Sequence, residues 1–205
     1  MKNKTLEEFS KETASSQPVP GGGSIAAYSG ALAAALSEMV ANLTVGKKNY
    51  KDVEEEMKLI VDKAEMIRTN MLDNIEKDCE AFDKVMVGFK LPKSSEEEKE
   101  YRKKTIQKGL IIAAEVPLEI AKEAFEIMPL AEIVVEKGNK NAVTDGLVSA
   151  MLARTAVLSA LLNVKINLNS IKDEDYVDKT RKVVENLEEM AIEKEKEILN
   201  KSPLK

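Results

Sequence analysis

Pro18-Val-Pro-Gly-Gly-Gly-Ser24 runs directly into Ile25-Ala-Ala-Tyr-Ser-Gly-Ala-Leu-Ala-Ala-Ala-Leu-Ser37, and this junction decides the reading of the fold. Glycine loses more backbone freedom on folding than any other residue, so a folded chain keeps three in a row where φ is positive or where another group must come close. Each flanking proline fixes its own φ and restricts the residue before it, which stiffens the approach. Ser24 is a natural N-cap for the alanine-rich stretch. From Ser24 to about Thr44 small residues dominate (Ala26, Ala27, Ser29, Gly30, Ala31, Ala33, Ala34, Ala35, Ser37), the composition of a buried central helix whose neighbours approach closely. A stiff loop feeding a helix N-terminus presents amide N–H groups to anything anionic or carbonyl-rich. A flexible linker has the same glycines, but would not usually abut the most apolar segment of a domain-sized chain.

Outward from this junction the signals are helical. Thr5-Leu-Glu-Glu8 has the capping-box pattern and predicts a first helix ending near Ser15. Gly46-Lys-Lys-Asn49 is a break. Asp52-Val-Glu-Glu55 opens a long helix towards Phe89, along which Met57, Ile60, Ala64, Ile67, Met71, Ile75, Cys79, Phe82 and Met86 step by three or four. Ser95 and Glu98 form a second capping box, and Val116-Pro117 and Met128-Pro129 predict a kink or two shorter pieces beyond it. After the polar loop Gly138-Asn-Lys-Asn141, an apolar helix runs from about Ala142 to Leu162. Residues 163–168 read as a short extended or irregular piece, and a last helix covers about 173–200. No alternating segment is long enough for a sheet, and no solenoid repeat is present. The fold class is all-α: a single bundle of long helices, residues 1–205 as one domain. Two very apolar helices, 24–44 and 142–162, have no side suited to water, so a second subunit is expected over one or both, giving a homodimer.

The composition narrows function chiefly by exclusion. A chain of 205 residues is long enough for one well-cored domain. With 31 Lys+Arg against 36 Asp+Glu the formal charge is -5, so a nucleic-acid surface is not expected. A single cysteine, Cys79, cannot form an internal disulfide and fits a reducing compartment. The first residues lack a signal peptide's apolar core, and no run reaches the ~18 uncharged apolar residues of a membrane span. A cytoplasmic location with no membrane partner is therefore expected. Most decisive is that the chain has no histidine, which excludes a Ser-His-Asp triad, a Cys-His dyad and any His-ligated metal site. Chemistry is left to Asp, Glu, Lys, Tyr, Ser/Thr, Asn, backbone dipoles or the lone thiol.

Several polar residues break the helical pattern. Asp78 lies three residues after Ile75 and four before Phe82, on the apolar stripe of the long helix. A carboxylate there is either paired, with Lys77 or a lysine of a neighbouring helix, or desolvated with a raised pKa that suits proton transfer. Asp145, in the first turn of an apolar helix, complements the helix dipole or points inward beside a ligand. Asn139 and Asn141 are turn formers that can also read an amide edge. Arg154 needs an anionic partner, an intersubunit carboxylate ahead of a ligand. Lys165 and Asn167 raise the same question, while Lys47 and Lys48 form a solvated face or greet an anionic tail.

Taken together, Pro18-Val-Pro-Gly-Gly-Gly-Ser24, Gly138-Asn-Lys-Asn-Ala-Val-Thr-Asp145 and Asn163-Val-Lys-Ile-Asn-Leu168 resemble the cyclodeaminase/cyclohydrolase family of tetrahydrofolate enzymes. The Asp78-Cys-Glu-Ala-Phe82 stretch is similar to the family's long-helix pattern. The resemblance covers almost the whole chain in order, and Arg154 has no place in it. It implies an all-helical homodimer that binds folate near the glycine-rich loop and needs no cofactor beyond its tetrahydrofolate substrate. The implied activity is hydrolysis of 5,10-methenyltetrahydrofolate to 10-formyltetrahydrofolate. The alternative is the lyase reaction of a formiminotetrahydrofolate cyclodeaminase, which closes the same ring with release of ammonia. A free-standing chain without a formiminotransferase domain tilts the expectation to the hydrolase. A non-catalytic helical dimerisation module is the third reading. Within the resemblance, Asp145 or Asp78 is expected to be the general acid or base, with Lys165 near developing charge. Asn139, Asn141 and Asn167 are expected to read the pterin, and Gly21, Gly22, Gly23 and Ser24 to cradle a ligand segment.

Overall fold

The starts of two helices follow the capping boxes of the sequence. In a computed structural model that describes residues 1–204, Thr5 and Ser95 each accept a hydrogen bond from the backbone N–H three residues on, and Glu8 and Glu98 reach back to complete both capping boxes. Seven α-helices result: α1 (Leu6–Thr13), α2 (Gly22–Asn42), α3 (Glu54–Lys90), α4 (Glu96–Phe125), α5 (Ile127–Lys137), α6 (Val143–Leu168) and α7 (Glu174–Asn200). Short 3-10 turns, Lys48–Val53 and Lys140–Ala142, precede α3 and α6. No strand occurs among the described residues. The fold is all-α, as expected.

At the centre α2 lies antiparallel to α6, and α3 and α4 pack against this pair. The close approach comes from side-chain size. Ala26, Ala27, Ala33 and Ala34 of α2 and Ala150, Ala153, Ala156 and Ala160 of α6 are fully buried, and Gly30 admits the Met71 side chain of α3. Ser149 donates to the Ala33 carbonyl at 2.7 Å and shares a 2.8 Å hydrogen bond with Ser37, so the polar groups between the two helices are satisfied. Both helices have the length and apolarity of a membrane span, yet about half of each is buried in the bundle.

The structure corrects several boundaries. Helix α2 begins at Gly22 with Gly21 as its N-cap, so Ser24 is not the cap but the third helical residue. Helix α4 continues through Pro117, whereas Pro129 sits in the first turn of α5, where its missing N–H has no intrahelical partner to lose. Residues 163–168 are not extended: α6 runs to Leu168. Val164 and Leu168 are buried and four residues apart, while Asn163 and Asn167 share the adjacent face and bond back to the Ser159 and Asn163 carbonyls. Arg154 pairs with Glu195 of α7 at 2.9 Å within the same chain, not with an intersubunit carboxylate.

Candidate functional site

The glycine-rich loop, the middle of α3, Ala113 of α4 and the end of α6 enclose a cavity of about 190 Å³. Pro18, Val19, Ala81, Phe82, Val85 and Ala113 form its apolar walls. Its polar lining is the backbone of Gly21, Gly22 and Gly23 with the side chains of Asp78, Asn163 and Asn167. None of the three glycines has a positive φ; Gly46 is the only described residue that does. Their role is therefore close approach rather than turn conformation. A Cβ on Gly23 would fall within 2.9 Å of both Asp78 carboxylate oxygens, and one on Gly22 would lie 3.0 Å from the Asn163 amide nitrogen.

Asp78 is the one ionisable side chain in this lining. Ser24 is fully buried beneath the cavity, and its hydroxyl donates to the Asp78 carboxylate at 2.8 Å. Helix α2 has no side-chain cap from its own N-cap residue, and this carboxylate from α3 lies against its first turn, where the helix dipole favours negative charge. Burial is the dominant influence on Asp78 and raises its pKa above the usual carboxylate value, with Ser24 pulling partly the other way. No lysine joins it. Cys79 is buried beside Ser24, and its thiol pKa is also pushed up by burial, so it stays protonated and inert.

The two asparagines are oriented by the helix. Asn163 donates its amide to the Ser159 carbonyl at 2.9 Å, and Asn167 donates to the Ala113 and Asn163 carbonyls at 2.9 and 2.8 Å. Both Asn167 N–H groups and one of Asn163 are thus used, which leaves both side-chain oxygens and one Asn163 N–H for a ligand. Phe82 adds a flat apolar wall one helical turn from Asp78. The cavity thus offers acceptors on one side, backbone donors on another, and a single proton-exchanging carboxylate between them.

Of the residues singled out in the sequence, the structure gathers Gly21, Gly22, Gly23, Ser24, Asp78 and Asn167. It does not bring Asn139, Asn141 and Asp145 to them. Those three lie at the opposite end of the α2–α6 pair, about 30 Å away along a helix of 21 residues. Asn139 is occupied structurally: its Oδ1 accepts from the Asn141 N–H, its amide donates to the Leu43 carbonyl, and its backbone N–H donates to Thr44 Oγ1. Asn141 is exposed and Asp145 half-buried, and neither side chain has a hydrogen-bond or ion-pair partner among the described residues. Lys165 also leaves the site, pairing with Glu188 of α7 at 2.6 Å on another face. Asn163 is visible in the sequence only as part of a motif; its i, i+4 relation to Asn167 is the signal for its place here. Ala113 carries no signal at all.

Against known proteins, the sequence profile of the formiminotransferase-cyclodeaminase family matches residues 5–186. A methenyltetrahydrofolate cyclohydrolase of Methylorubrum extorquens is 44% identical over 185 residues, covering 90% of this chain and 89% of that protein. A formimidoyltransferase-cyclodeaminase of Rattus norvegicus is 31% identical over 183 residues, covering 89% of this chain but 34% of that longer protein. Among solved structures, a formiminotetrahydrofolate cyclodeaminase from Thermotoga maritima superposes with a TM-score of 0.81 at 37% identity, over 97% of this chain and 93% of that one.

Proposed function

Because the chain belongs to the formiminotransferase-cyclodeaminase family, we propose that it is a folate-dependent one-carbon enzyme that hydrolyses 5,10-methenyltetrahydrofolate to 10-formyltetrahydrofolate. The observation that carries this reading is the 44% identity, over nine-tenths of both chains, to a cyclohydrolase. The cavity fits the chemistry. Water adds to the electrophilic amidinium carbon between N5 and N10, and the tetrahedral adduct then opens with cleavage of its bond to N5. Asp78, as carboxylate, accepts a proton from the attacking water and returns it to N5 as that bond breaks. The hydroxyl proton of the adduct leaves to solvent as the formyl C=O forms, which balances the step. A raised pKa suits a group that must both take and give this proton near neutral pH, and such general acid–base action contributes about 10²–10⁴-fold.

Asn163 and Asn167 accept from the amino and ring N–H groups of the pterin, Phe82 lies against its face, and the amides of Gly21, Gly22 and Gly23 hold ligand oxygens. Ser24 positions Asp78 without touching substrate. Lys165, committed to Glu188, takes no part. No cofactor beyond the folate is required, the enzyme works as a cytoplasmic homodimer, and neither nucleic acid nor membrane is a partner.

Likeness to the Thermotoga maritima structure favours a second reading, cyclodeaminase. There N10 attacks the formimino carbon on N5 and ammonia leaves through a similar tetrahedral centre. Two spectrophotometric assays on the purified chain decide. Loss of the methenyl absorbance from methenyltetrahydrofolate supports the hydrolase. Appearance of that absorbance with ammonia release from formiminotetrahydrofolate supports the second reading, and silence in both rejects the enzyme.

A further inference from the structure

Helix α4 carries a proline in its interior, and the carbonyl opposite that proline is bound by a side chain of the cavity. Pro117 is buried, and the helix runs through it from Glu96 to Phe125. Proline has no N–H, so the Ala113 carbonyl, four residues back, receives no helix hydrogen bond from residue 117, and the ring crowds the same oxygen. Asn167 of α6 reaches across and donates its amide to that carbonyl at 2.9 Å. Ala113 and Asn167 both line the cavity, whereas Pro117 lies behind it.

This bond decides how the Asn167 amide is held. Its partners are the Ala113 and Asn163 carbonyls, at 2.9 and 2.8 Å, and a carbonyl only accepts. Both must meet the nitrogen, which leaves Oδ1 as the free group and makes it an acceptor. With the Asn163 carbonyl alone, one N–H would suffice, and the terminal torsion of an asparagine is broad enough for the amide to turn. The second carbonyl removes that freedom. Asn163 differs, since it meets only the Ser159 carbonyl and keeps one N–H in reserve. The seam between α4 and the end of α6 does not depend on Asn167. Gln107 of α4 also spans it, donating to the Ser170 carbonyl at 3.0 Å and accepting from the Lys172 backbone N–H at 2.8 Å.

We propose that Pro117 is a positioning residue of the site. By withholding an N–H from the Ala113 carbonyl, it makes that carbonyl the second anchor of the Asn167 amide and commits Asn167 to accept from an N–H edge of the substrate. Proline is the least favourable residue in a helix interior, and here its missing donor is replaced by the side chain that the cavity needs fixed. This inference rests on the folate reading for the identity of the N–H edge, that of the pterin, but not for the coupling between Pro117 and Asn167.

Two double-mutant cycles on the full chain test it. Pro117→Ala supplies an N–H at position 117, so the Ala113 carbonyl returns to the helix ladder and Asn167 loses its second anchor. The KM for methenyltetrahydrofolate and the dissociation constant for folic acid should each rise about tenfold, the worth of one hydrogen bond, with kcat little changed. Asn167→Ala should bind at least as weakly, and adding Pro117→Ala to it should change nothing further. A wild-type KM in Pro117→Ala, or the same rise with and without Asn167, overturns the positioning role. The second cycle needs no ligand. Asn167→Ala leaves the Ala113 carbonyl without its donor in the wild-type chain but not in Pro117→Ala, so its drop in melting temperature should be smaller in the alanine background by ~2–4 °C. Equal drops overturn the pairing itself. Pro117→Ser supplies the same N–H if the alanine chain does not fold. A wild-type chain silent on both methenyltetrahydrofolate and formiminotetrahydrofolate ends the folate reading, and the melting cycle still judges the coupling of Pro117 to Asn167.

Discussion

At one end of the α2–α6 pair, Asn163 and Asn167 donate their amides to helix carbonyls and line a cavity. At the other, Asn139 commits both ends of its side chain and its backbone N–H to holding the turn before α6. The residue type is the same and so is its motif-like setting in the sequence; only the destination of the hydrogen bonds differs. The carboxylates divide similarly. Asp78 is desolvated and held by Ser24, whereas Asp145 stands unpaired at a helix start. A polar residue in a motif therefore acts where its bonding capacity is left over, and the two ends should respond to mutation in different observables: turnover at the glycine loop, stability at Asn139.

Gly23→Ala should show the largest effect short of removing Asp78 itself. The new methyl displaces the Asp78 carboxylate, and misplacing a reacting group by about 1 Å costs on the order of 10²-fold in turnover. Steady-state kinetics on the folded variant checks this, and unchanged kcat would mean the close packing around Asp78 is not catalytic. Asn139→Ala should act on the other side of the comparison. It removes two side-chain hydrogen bonds at roughly 1 kcal/mol each, so denaturant unfolding should show a loss of about 2 kcal/mol with little change in kcat per folded molecule. A kinetic defect without a stability defect would reverse the assignment.

A subtler effect concerns pH. Asp78 has a folded pKa above its unfolded value, so its favourable contribution is complete at low pH and is lost as pH rises through the folded value, above which the ionised group opposes folding. Asparagine accepts from Ser24 as aspartate does and serves equally as a helix cap. Asp78→Asn should therefore melt at or above the wild-type temperature at pH 7, with the advantage shrinking towards pH 4. A lower melting temperature at neutral pH would show that the charge itself stabilises α2. Lys165→Ala should do least: a partly exposed ion pair contributes ~0–1 kcal/mol, and turnover should not move.

Much of the fold is legible from residue patterns because it depends on local chemistry. Capping boxes, the stripe on α3 and the small-residue character of α2 all report contacts within one helix or one close helix pair. The glycine loop and Asp78 are also legible, as residues whose cost needs a compensating contact. What the sequence does not convey is distance across the bundle. Asn139, Asn141 and Asp145 belong to a motif that reads as one site with the glycines, yet antiparallel packing of α2 on α6 sends them to the far end. Lys165 and Arg154 look unpartnered because Glu188 and Glu195 lie on α7, remote in sequence and adjacent in space. The end of α6 misleads because asparagines at i and i+4 satisfy helix carbonyls as readily as they mark an irregular segment.

Asp78 is central to the proposed reaction, as the proton-exchanging group of a folate site at the glycine loop. The most direct test is kcat for methenyltetrahydrofolate hydrolysis by Asp78→Asn, measured beside the dissociation constant for a folate analogue. Turnover should fall by about 10²–10⁴-fold with affinity little changed. Near-wild-type turnover in a variant that binds folate normally would contradict this role.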